Sequence, residues 1–120
     1  MTKATGGSNF DLEERTALFG EAVIAFAKKI PANDVTRPLT GQLVRAGTSV
    51  GANYAEADDC DWRKDFRFKI GLCRREARET KHWVRMVVAA EDQLPQEARA
   101  IWQEAKELNL IFGAIRRRTV

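Results

Sequence analysis

Apolar residues recur along the chain at helical spacing in four stretches, separated by short polar breaks. Leu12, Phe19, Val23, Phe26 and Ile30 step by seven, four, three and four, which predicts a helix over about 11–30. Asp11 followed by Glu14 has the form of a capping box. A second stripe, Leu39, Leu43, Ala46, Val50, Asn53 and Ala57, begins near Thr36, with Pro38 tolerated in the first turn. The third, Phe66, Ile70, Cys73, Ala77, Thr80, Val84 and Val87, predicts a helix from an N-cap at Asp61 to about Asp92. The fourth opens at Pro95, a favoured first helical position, and its face is Ala98, Ile101, Ala105, Leu108, Phe112 and Ile115. It closes on Arg116, Arg117 and Arg118, cations suited to the negative end of a helix dipole.

No stretch alternates as a strand does. Four helices on short loops predict an all-α, antiparallel up-down-up-down four-helix bundle over residues 10–118, behind a disordered tail at 1–9. The chain's 120 residues suffice for one core, and 31% charged with 44% hydrophobic residues is ordinary for a helical globular domain. The opening MTKATGGSNF lacks the apolar core of a secretion signal, and no apolar run approaches a membrane span. Cys60 and Cys73 lack metal or redox spacing and read as idle thiols of a cytoplasmic protein.

Two features exceed what one bundle needs. In QLVRAGTSVGANYAEA, Gly47 and Gly51 interrupt the second helix, with Gly41 just before, although each interior glycine costs roughly 0.5–1 kcal/mol. Gly41, Thr48, Ala52 and Ala55 fall away from the core stripe, and Gly47 and Gly51 lie between the two faces. Small residues over so much circumference fit either a subunit contact or tight packing within one bundle. The third helix carries a second apolar group, Phe68, Leu72, Trp83 and Met86, roughly 120° from its core line, with Glu79 among them. Self-association explains it; a wide core reaching around the helix is the alternative.

A third face of that helix is basic. Arg63, Arg67, Arg74, Arg78, Lys81 and Arg85 fall within roughly 60° of one another. Between residues 63 and 85 stand nine Lys or Arg and three acids, while the whole chain carries +3. One reading is a solvated face balanced by acids on neighbouring helices. The other is a track for phosphates. With no aromatic interleaved along it, the stripe points to backbone contact, not base stacking. Glu79-Thr-Lys-His82 has the form of half a di-iron site, but the chain has a single histidine, so neither metal nor cofactor is expected. On the second helix, Gln42, Arg45, Ser49 and Glu56 flank the stripe, suited to fixing register or to lining a hydrated edge.

QLVRAGTSVGANYAEA resembles the helix-two signature of the bacterial four-helix-bundle family of 23S ribosomal RNA intervening-sequence proteins, roughly QLRRAATSIPANIAEG. RREARETKHWVRMV resembles the helix-three pattern of one branch, roughly KEARETxYWLxLL. Gln42, Leu43, Arg45, Ala46, Ser49, Asn53, Ala55 and Glu56 carry the first match, and Glu76, Ala77, Glu79, Thr80 and Trp83 the second. Gly51 stands where proline is common and Ala57 where glycine is common. The resemblance implies a cytoplasmic bundle assembled as a ring of five subunits, with suspected nucleic-acid binding and no settled activity. The expectation is a non-enzymatic homo-oligomer contacting RNA or DNA backbone through the basic face. Gly41, Thr48, Ala52, Phe68, Leu72, Glu79, Trp83 and Met86 are its candidate subunit contacts. The competing expectation is an adaptor for an unidentified protein partner.

Overall fold

The computed structural model describes residues 11–92 and 96–120; the expected tail at 1–9 and the expected helix start at Pro95 lie outside them. Within them are four helices, α1 (Leu12–Ala27), α2 (Thr36–Asp58), α3 (Arg63–Ala90) and α4 (Glu97–Arg118), with no strand among the described residues. Sequential helices pack on one another, and α1 meets α4 far more sparsely.

The stripes form the core. Phe26, Leu43, Val50, Ile70, Val87, Leu108 and Phe112 are fully buried, and Phe66, Tyr54 and Ile115 pack against them from the edge. The ends differ in detail from the sequence expectations. α1 stops at Ala27, and Ile30 reaches the core from the turn that follows. Asp11 occupies the N-cap position, but its side chain makes no capping bond. The N-cap of α3 is Trp62, in extended backbone, not Asp61. At the start of α2 the cap is built from outside the helix. The Asn33 side chain accepts from the amides of Val35 and Thr36, and the buried Thr36 hydroxyl donates to the Pro31 carbonyl at 2.6 Å.

The glycines bring α1 and α2 together. A Cβ on Gly47 would lie 2.7 and 2.8 Å from the methyls of Val23, a buried β-branched side chain with little freedom to move. A Cβ on Gly51 would meet Thr16 at 3.3–3.4 Å, and one on Gly20 would meet the Thr48 Cα at 3.5 Å. Gly47 and Gly51 therefore serve packing inside one chain. Gly41 differs: nothing among the described residues lies within 4 Å of the Cβ position.

On its other flank α2 is fastened to α3 by polar groups. Arg45 Nε donates to Gln42 at 2.8 Å, and its guanidinium bridges Glu76, at 3.2 Å, and Glu79. Glu79 also accepts the Trp83 indole N–H at 3.1 Å. Lower down, Lys69 pairs with Glu56, and the Asn53 amide donates to the Ser49 carbonyl at 2.9 Å. The polar flank of α2 thus meets α3 through the ion pairs of Arg45 and Glu56, while the Asn53 bond stays within α2. Across the bundle, Arg15 of α1 grips Glu104 of α4 through two bonds of 2.7 and 2.8 Å and reaches Glu107 at 2.9 Å.

Candidate nucleic-acid interface

The α3 face turned toward α4 holds the basic residues. Around the lower half of this seam lies a cleft of about 340 Å³ lined by Lys64, Arg67, Arg74, Arg75 and Arg116, with Phe68, Gly71 and Leu72 completing its wall. No carboxylate is among its lining residues. Two glycines open the surface for it. A Cβ on Gly71 would sit 3.2 Å from Arg116 Nε, so Arg116 of α4 lies across α3 at that point. A Cβ on Gly113 would meet Arg117 Nη1 at 3.4 Å and Arg74 Cδ at 3.5 Å, so Arg74 lies across α4 in return. The Nε of Arg74 is buried without a hydrogen-bond partner among the described residues. The Arg74 carbonyl accepts from Asn109 at 2.9 Å, which pins the two helices beside the cleft.

The six stripe residues divide by environment. Arg63 and Arg67 donate to the carbonyls of Val120 and Arg116 at 3.1 and 3.3 Å, where cations offset the negative end of the α4 dipole. Lys81 holds its ammonium 5.2 Å from the centroid of the Trp102 ring. Arg78 and Arg85 are exposed. Among the described residues none of the six forms an ion pair with an Asp or Glu side chain, so acids on neighbouring helices do not balance the face. The acids that would do so are engaged elsewhere: Glu76 and Glu79 with Arg45, Glu104 with Arg15, and Glu97 with Lys29, which holds the Glu97 carboxyl below its ordinary range.

The second apolar group of α3 is spread across several surroundings. Trp83 is half-buried against the core, with His82 edge-on to it at 4.9 Å. Leu72 and Met86 are half-buried. Phe68 is 63% exposed and borders the cationic cleft together with Leu72. On α2, Gly41 and Ala52 face solvent, while Thr48 is half-buried against Gly20 and back-bonds to the Val44 carbonyl at 2.8 Å. Glu79, also a candidate subunit contact, is held by Arg45 and Trp83 within the chain.

Sequence reasoning missed the contribution of α4. Arg116 enters the site as well as closing its helix, and Trp102 places an aromatic ring beside a stripe that has none of its own. The available signal was Gly71: a glycine on the basic side of α3 serves no core purpose and marks something lying across it.

The family model described as 23S rRNA-intervening sequence protein matches residues 9–114. Among solved structures, the chain is similar to a crystal structure of a protein of unknown function from the S23 ribosomal protein family of Bacteroides thetaiotaomicron. The two are 25% identical with a TM-score of 0.74, over 86% of this chain and 95% of that one. No curated protein matches the chain.

Proposed function

The chain belongs to the 23S rRNA-intervening sequence protein family, and on that premise we propose that it is a non-enzymatic, homo-oligomeric bundle of the cytoplasm that binds the backbone of RNA or DNA. Its basic α3 face, enlarged by Arg116 of α4, is the binding surface. The observation that carries this reading is the cleft without an acidic side chain, on a face whose cations form no ion pairs with Asp or Glu among the described residues. Like charges gathered at one seam repel each other in the free protein, and an arriving phosphate removes that cost while releasing counterions.

Self-association into a ring, five-membered by resemblance, is supported by Gly41 and by Phe68. Gly41 is an interior helix glycine that packs against none of the described residues, and Phe68 leaves apolar surface in water. Phe68 also borders the cleft, so a ring that covered it would bring the cationic faces of adjacent subunits together.

Native mass spectrometry of protein prepared without nuclease tests both parts, through subunit number and retained nucleic acid. Gly41→Arg is expected to lower the subunit number while leaving the helical content intact. Fluorescence anisotropy with a short RNA duplex is expected to give log K falling against log salt with a slope of about −3 or steeper. Absence of binding at low salt removes the nucleic-acid reading.

A further inference from the structure

Trp102 lies outside the core stripe of α4, and the residue stays 36% exposed. The ammoniums of Lys81 and Lys106 stand 5.2 and 5.7 Å from the ring centroid, near the outer limit of a cation–π contact. Beside it runs an open groove of about 850 Å³ whose walls include Arg85, Val88, Arg99 and Gln103, with Asp92 the one carboxylate among its lining residues. A partly exposed indole flanked by cations is the arrangement that a stacked base and its flanking phosphates require.

We propose that Trp102 is a stacking platform for an unpaired nucleobase, so that the nucleic acid held by the basic face is single-stranded where it crosses α4. This rests on the phosphate-binding reading above and adds the strandedness of the ligand to it. Bases inside a duplex are stacked on one another and offer no free face. In a single strand a base slides over the indole and displaces the loosely held ammoniums, which turn to the phosphates on either side. Val88, 43% exposed, supplies an apolar edge to the groove. Stacking tolerates every base, so the preference is for strandedness over sequence.

The test is fluorescence anisotropy with a labelled single-stranded RNA, the same sequence as DNA, and the corresponding duplex, at one salt concentration. Trp102→Ala is expected to weaken both single strands by about tenfold or more and the duplex by less than about twofold. Trp102→Phe, which keeps a ring, is expected to retain most of the affinity. Equal losses on single strand and duplex, or unchanged single-strand affinity in Trp102→Ala, overturn the platform and leave the phosphate track standing. Failure of the unaltered protein to bind any of the three probes overturns both. A changed subunit number in Trp102→Ala with unchanged single-strand affinity assigns the ring to a subunit contact instead.

Discussion

Helix α3 has two flanks, and they treat charge in opposite ways. Toward α2 each ionic group is answered: Glu76 and Glu79 by Arg45, Lys69 by Glu56. Toward α4, cations accumulate unanswered, and α4 contributes Arg116 where a carboxylate would have neutralised the face. Both flanks lie on the same helix and border the same core, so folding alone does not call for the difference. The answered flank is a fastening whose partners are fixed by the fold. The unanswered one carries repulsion that the bundle gains nothing by keeping, and it is the flank to which the proposed nucleic-acid partner is assigned. The two segments that resemble the family signature, on α2 and α3, meet at the answered flank. The signature residues therefore describe how the bundle is held together more than what it binds.

Reversing charge on the open flank gives the largest expected effect. Arg74, Arg78 and Arg85 replaced together by Glu should cut nucleic-acid affinity by ~100-fold or more at low salt. Thermal stability should stay level or rise, because repulsion is relieved; a lowered melting temperature would count against the contrast drawn here. Between the flanks, Cys73 lies in the core, and burial pushes its thiol up from 9.0 to about 12. A raised folded-state pKa gives stability that is complete below about pH 9 and is lost as pH climbs toward 12. By about pH 10.5 the loss is roughly 2 kcal/mol, since each unit of separation is worth about 1.4 kcal/mol. Chemical denaturation of wild type and Cys73→Ala at both ends of that range should show the gap between them closing. The smallest effect belongs to the fastened flank. Arg45→Ala should cost about 1 kcal/mol, as its partly exposed ion pairs are screened. A double-mutant cycle with Glu79→Gln should recover about half of it as coupling, and nucleic-acid affinity should not change.

The core was legible because periodicity alone decides it: every member of the four stripes is buried or packed at the core edge, apart from Asn53, which is half-buried and hydrogen-bonds within its own helix. Helix ends were less so. Asp61 has the better capping chemistry, yet Trp62 takes the position, because where α3 begins is set by its packing on α2 and α4. The basic face was legible as a stripe but not as a site. The stripe is a property of one helix, whereas the cleft depends on Arg116 crossing Gly71 and on Trp102 standing beside Lys81. Projection of a single helix carries no information about which neighbour lies over it. The same limit applied to Gly47 and Gly51, whose use was decided only once Val23 and Thr16 were seen against them.

The sparse meeting of α1 with α4 bears on how the chain reaches this structure. Three of the four seams join helices adjacent in sequence, so they close short loops and form early. The Arg15–Glu104 grip joins residues 89 positions apart and has to wait for the rest. Arg15→Ala should therefore hasten unfolding while leaving the refolding rate nearly unchanged in stopped-flow experiments, a φ-value close to zero. The seam between α1 and α4 is then the last to close, the step at which one chain is most easily mistaken for its neighbour.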